Sequence, residues 1–134
     1  MPHRIRRNRR LKPGNNVKKS VFMDTNMLTL RQQFGIDVFE EAKRLVPNAQ
    51  FKTTTSVIKE LEKIGMHGMA SKIIKINKVK IVKTQGNTDA ALLREAIKEK
   101  GVLCTNDKAL KRKSLEKGTP VIIMRSKKKL ELIE

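Results

Sequence analysis

Val21-Phe22-Met23-Asp24 is a short apolar run that ends on a carboxylate, and its reading decides the fold. A run this short, bounded by polar residues, reads as a buried strand. Similar runs lie at 49–54, 79–82, 102–104 and 121–124. Between them apolar residues recur at helical spacing, which predicts helices over 26–34, 37–46, 56–64, 69–76, 89–98 and 107–117. Gly35, Pro47, Gly65, Gly101 and Gly118 mark where these helices stop. Val- and Ile-rich strands alternating with helices predict an α/β fold. It is a three-layer α/β/α sandwich around a central parallel sheet of four to five strands.

The chain has 134 residues, one domain's worth, and a formal net charge of +18. Residues 1–19 hold eight of the 31 basic residues and no acid; the first acid is Asp24. Beyond them, 23 basic residues still outnumber 13 acidic ones, so a tail alone does not explain the charge. Residues 1–19 are therefore read as a flexible basic tail that orders on a partner, and residues 20–134 as the folded domain. Nucleic acid is the expected partner, held through phosphate contacts that weaken with salt. Arg4, Arg6, Arg7, Arg9, Arg10 and Lys12 in the tail are candidate nucleic-acid contacts. So are Lys108, Lys111 and Arg112 after Asp107, and Arg125, Lys127 and Lys128 near the end. There is no Trp or Tyr, and Phe22, Phe34, Phe39 and Phe51 sit in apolar neighbourhoods, where core positions are expected. Stacking of bases on aromatic side chains is accordingly expected to be minor. No apolar run approaches the roughly 18 residues of a membrane span, and MPHRIRRNRR has no hydrophobic segment behind it. A cytoplasmic protein without a membrane partner is expected. Cys104 stands alone, so neither an internal disulfide nor a cysteine-based zinc site is available.

In so basic a chain the placement of acids is informative. Glu62, Glu95, Glu99 and Glu116 fall on polar helix faces or pair with Lys at helical spacing. Asp24 directly follows one predicted strand, and Asp107 follows another after two polar residues. The carboxyl ends of parallel strands are where α/β sheets bind ligands. Glu60 lies at the edge of the stripe Val57, Leu61, Ile64, and Asp89 shares a face with Leu93, Ala96 and Ile97. Taken singly, Asp89 and Asp107 read as helix caps and Glu60 as half of a surface pair with Lys63. Taken together, carboxylates forced into one place repel, and a hard divalent cation such as Mg²⁺ or Mn²⁺ removes that penalty. His3 and His67 are lone and are read as neither ligand nor base.

Four pieces in this order resemble a PIN-domain endoribonuclease: VFMDTN at 21–26, TTSVIKEL at 54–61, TDAALL at 88–93 and LCTNDKAL at 103–110. The resemblance spans about residues 20–124. It implies a metal-dependent hydrolase that cuts single-stranded or exposed RNA with a water activated by the ion, leaving a 5′-phosphate and a 3′-hydroxyl. It implies Asp24, Glu60, Asp89 and Asp107 as catalytic acids holding Mg²⁺ or Mn²⁺, with Asn26 and Thr105 as polar helpers. A homodimer is also implied by resemblance. The basic tail and the ending KGTPVIIMRSKKKLEL resemble archaeal relatives of the branch that processes small-subunit ribosomal RNA precursors. The alternatives are a VapC-type toxin, which would have an antitoxin protein as partner, and a non-catalytic RNA-binding assembly factor.

Overall fold

The structure, a computed structural model, describes residues 18–134. The tail cations Arg4, Arg6, Arg7, Arg9, Arg10 and Lys12 lie outside the described residues. The first strand, β1, already begins within the predicted tail, at Lys19–Met23. Then follow α1 (Thr25–Leu28), α2 (Leu30–Phe34), α3 (Val38–Leu45), β2 (Ala49–Thr54), α4 (Thr55–Lys63), α5 (His67–Ile76) and β3 (Lys80–Val82). The second half is α6 (Thr88–Lys98), β4 (Val102–Cys104), α7 (Lys108–Glu116), β5 (Val121–Arg125) and β6 (Lys129–Ile133).

The strands form one sheet in the order β3-β2-β1-β4-β5-β6. All neighbours are parallel except β5 and β6. The chain winds outward from β1 through β2 to β3, then returns to lay β4 and β5 on the other side. Right-handed crossovers in opposite directions put α3 to α5 on one face and α6 and α7 on the other. That is the expected sandwich. Central strands covered on both faces must be apolar throughout, which explains why Val21, Phe22, Met23, Val102, Leu103 and Cys104 are all fully buried.

The sheet has six strands, one more than the upper end of the expected range. The addition is β6, paired antiparallel with β5 in the register Ile122↔Leu132 and Met124↔Leu130. Its sequence, KLELI, follows a run of Lys that reads as a charged ending; Ser126 and Lys127 adopt left-handed φ of 57°, which turns the chain back. The predicted helix 26–34 is two short helices broken at Thr29. The Thr29 hydroxyl donates to the Asn26 carbonyl at 3.1 Å, a local bond that competes with the helical ladder. Phe22, Phe39 and Phe51 are buried, and Phe39 and Phe51 meet edge to face with centroids 4.8 Å apart. Phe34, expected in the core, is 38% exposed, with the Lys127 ammonium 5.7 Å above its ring. Glu99 is also placed otherwise than expected. It accepts hydrogen bonds from Lys52 of β2 and from the Ser20 hydroxyl, so it ties the end of α6 to two strands.

Gly101 ends the loop after α6 because β1 passes close by. A methyl at Gly101 would stand 2.5 Å from the Ser20 carbonyl oxygen. Gly101→Ala must push β4 away from β1, and overpacking of this kind costs about 1–3 kcal/mol. Urea denaturation should show that loss of stability.

Candidate active site

β1 and β4 are neighbours, yet the chain leaves them in opposite directions. A crevice therefore opens beyond their carboxyl ends, the position where open parallel sheets take ligands. Asp24 follows β1 directly, and its backbone N–H donates to the Cys104 carbonyl at 3.0 Å. Thr105, Asn106 and Asp107 follow β4. The strand pairing Met23↔Cys104 thus sets Asp24 beside Thr105.

Asp24 is only 5% exposed. The Thr25 backbone N–H donates to its Oδ1 at 2.7 Å and the Thr105 hydroxyl to its Oδ2 at 2.6 Å. Burial raises its pKa above the ordinary 3.8 and outweighs those two hydrogen bonds; the charges of Asp89 and Glu60 push the same way. Glu60, half-buried on α4, accepts a hydrogen bond from the Thr25 hydroxyl at 2.9 Å. Asp89 stands in the first turn of α6. Partial burial raises its pKa, and the charges of Asp107 and Glu60 add to the rise, while Lys113 opposes it. Asp107 caps α7, accepting the Leu110 N–H at 2.9 Å, and its own N–H donates to the Thr105 hydroxyl at 3.1 Å.

The structure therefore brings Asp24, Glu60, Asp89 and Asp107 to one mouth, where each is within electrostatic reach of at least one other. Asp89 is not the cap of its helix; Asn87 is, through its Oδ1. Glu60 is engaged with Thr25 and not with Lys63. Among the described residues, no group of three or more His, Cys, Asp or Glu is arranged so that it could hold a metal ion as it stands. The donor chemistry nonetheless suits a hard cation, since the four acids offer only carboxylate oxygens. Buried Asp24 also carries a charge that its neighbours disfavour. Cys104, fully buried behind Asp24, has its thiol pKa pushed up by burial and is kept neutral.

Of the two polar helpers, Thr105 is buried and bridges Asp24 to Asp107, while Asn26 is exposed on α1. The sequence reading passed over Thr25, which holds Glu60 through its hydroxyl and Asp24 through its N–H. Its signal was its place, directly after the first acid. Asn106 was also missed; its Oδ1 accepts the Met124 N–H at 2.8 Å and anchors the loop after β4 to β5. Lys108 and Arg112 are exposed on α7, and Lys111 is half-buried. Lys127 and Lys128 are exposed at the hairpin turn, and Arg125 is held against Glu131 across the hairpin at 3.1 Å.

Comparison with known proteins follows the same outline. A family model described as a PIN-like domain matches residues 21–127. Ribonuclease VapC9 of Archaeoglobus fulgidus is 30% identical over 123 residues, covering 87% of this chain and 90% of that protein. Among solved structures, the PIN domain endonuclease Utp24 superposes with a TM-score of 0.69 at 24% identity, over 84% of this chain and 90% of that one. A domain of a functionally unknown protein from Methanocaldococcus jannaschii gives a TM-score of 0.57 at 18% identity, covering 81% of this chain and 92% of that one.

Because the folded-state pKa of Asp24 lies above its unfolded value, the folded protein binds more protons in the window just above pH 3.8. The penalty is absent below that pH and fully present above the raised value. Without divalent ions, Asp24→Asn should therefore melt at a higher temperature than the parent at pH 7. The difference should shrink as pH falls toward 4, measured by thermal denaturation across a pH series.

Proposed function

The chain belongs to the PIN-like domain family, and from that premise we propose that it is a divalent-metal-dependent endoribonuclease of the cytoplasm acting on precursor ribosomal RNA. The observation that carries this reading is the meeting of Asp24, Glu60, Asp89 and Asp107 at one mouth of a chain whose net charge is +18. Those four carboxylates would hold Mg²⁺ or Mn²⁺. Bound there, the ion supplies Lewis acidity toward a phosphodiester. The chain's own contribution is position and charge. Thr25 holds Asp24 and Glu60 in fixed relation, and Thr105 does the same for Asp24 and Asp107. Lys113 offsets the negative charge at Asp89, and the cations of α7 draw an anionic strand toward a mouth that would otherwise repel it. The basic tail supports docking on a folded precursor RNA.

A second reading, a toxin ribonuclease paired with an antitoxin protein, is favoured by the identity with Ribonuclease VapC9. Growth arrest on expression, abolished by Asp24→Asn, would select it over ribosomal RNA maturation.

The test is cleavage of a labelled single-stranded RNA. The parent should cut with Mn²⁺ and stop with EDTA. Asp24→Asn should lose more than the roughly 10–100-fold typical of losing a residue that only supports a ligand. Its RNA affinity should change little, because Lys and Arg carry affinity. Cleavage indifferent to chelator and substitution alike refutes the enzyme reading; tight RNA binding with no cleavage under any ion leaves the non-catalytic factor. Removing residues 1–17 should weaken RNA binding and flatten its salt dependence. An unchanged slope, from affinities titrated across salt concentrations, contradicts the tail's role.

A further inference from the structure

Two hollows flank the four acids, and they differ in chemistry. One, of about 320 Å³, lies against Glu60 and is polar, with Lys59, Lys63, Thr84 and Gln85 in its wall. The other, of about 470 Å³, lies between α6 and α7. Its floor is aliphatic: Ala90, Leu93, Ile97 and Ala109. Asp89, Arg94 and Lys113 stand in the same lining. Its volume falls within the roughly 300–1,000 Å³ of small-ligand clefts.

We propose that this slot between α6 and α7 is a nucleobase subsite, taking one unpaired base of the RNA strand next to the acids. The proposal rests on the ribonuclease reading above and deepens it. Three observations carry it. First, Asp89 belongs both to the acid mouth and to the slot, so whatever occupies the slot is continuous with what reaches the acids. Second, the wall combines aliphatic surface with two cations. That pairing suits a nucleotide, whose flat base is apolar on its faces while its phosphate is anionic. Aliphatic side chains can sandwich a base where aromatic ones are lacking. Third, Ile97 is 39% exposed at the slot, and Ala90 and Ala109 each contribute only a methyl, which leaves room above the floor. Asn87 completes the recognition chemistry. Its Oδ1 is taken by the Ala90 N–H at 3.0 Å, which leaves its amide NH₂ to donate to a base edge or sugar hydroxyl. An apolar side chain of a protein partner, or a second copy of this chain, would use the floor. Neither would by itself account for Lys113 facing Asp89, or for Arg94, whose Nε lies 3.9 Å from the Glu95 carboxylate, in the same lining.

The experiment compares single-stranded octamers of adenosine and of uridine with an abasic ribose–phosphate octamer of equal charge. Affinities are read by fluorescence anisotropy in EDTA, with the full chain. The parent should bind at least one base-bearing octamer roughly tenfold more tightly than the abasic one. Ala109→Met fills the slot, and Ile97→Gln, at an exposed position, makes its wall polar without touching the core. Both should bring base-bearing and abasic affinities to within about twofold while leaving the abasic affinity unchanged. A parent that cuts RNA in the Mn²⁺ assay above yet binds these octamers without distinguishing base from abasic overturns the subsite and leaves the ribonuclease reading intact. So does a base preference that both variants keep. A parent that neither binds nor cuts RNA overturns the underlying reading as well. If the variants instead change the oligomeric state by size-exclusion chromatography and spare base preference, the slot is a contact between copies and the proposal is wrong.

Discussion

Mutual repulsion among the carboxylates around Asp24 is the constraint to which the rest of the structure answers. Left alone, four acids would swing apart into solvent. Three of them are restrained here by short-range bonds. The Thr25 N–H and Thr105 hydroxyl fix Asp24, the Thr25 hydroxyl fixes Glu60, and the capping bond to Leu110 fixes Asp107. Two threonines therefore do most of the holding, each touching two acids or the backbone of one. Both are placed by the pairing of β1 with β4, so the sheet sets the frame of the mouth, to which α4 and α6 add Glu60 and Asp89.

That dependence explains the care taken at the sheet's far edge. β4 is only three residues long, and its alignment relies on β5 and β6 behind it. An outer strand leaves unpaired backbone groups that invite another chain. In β6 the backbone N–H and C=O of Leu130, which point away from β5, are taken by α3. Glu41 accepts the Leu130 N–H at 3.3 Å, and Arg44 donates to its carbonyl at 3.4 Å. The same two side chains form an ion pair, so they imitate the next strand of the sheet at one residue. Leu130 and Leu132 meanwhile reach the main core, which couples the hairpin to the strands that carry the acids.

The main strands, the helices between them and the four acids were legible because each rests on local pattern. Short β-branched runs, helical apolar spacing and an acid at a strand's end are visible within a few residues. What was not legible depends on partners distant in sequence. Strand β6 alternates charge with leucine, and only its pairing with β5 makes it a strand. Phe34 looks like a core residue, yet it ends α2 partly exposed, with the distant Lys127 above its ring. Glu99 looks like a surface acid until Lys52 and Ser20 arrive from two strands. Thr25 could be seen next to Asp24, but its grip on Glu60 joins residues 35 positions apart. Nor does sequence spacing report distance: it aligned the four acids with one site, while the geometry gives a shared mouth whose ligand set is not closed.

An open acidic mouth on a strongly basic chain separates two tasks that one site usually shares. An RNA phosphate approaching four carboxylates is repelled, whereas a cation is attracted. On the proposed ribonuclease reading, the lysines and arginines outside the mouth would hold a polyanion whether or not the mouth is neutralised. On the same reading, the centre would admit phosphate only once its own charge is balanced, while the flanks would retain the strand. Burial and the charges of Asp89 and Glu60 all disfavour the charge of Asp24, so positive charge arriving at the mouth relieves that penalty.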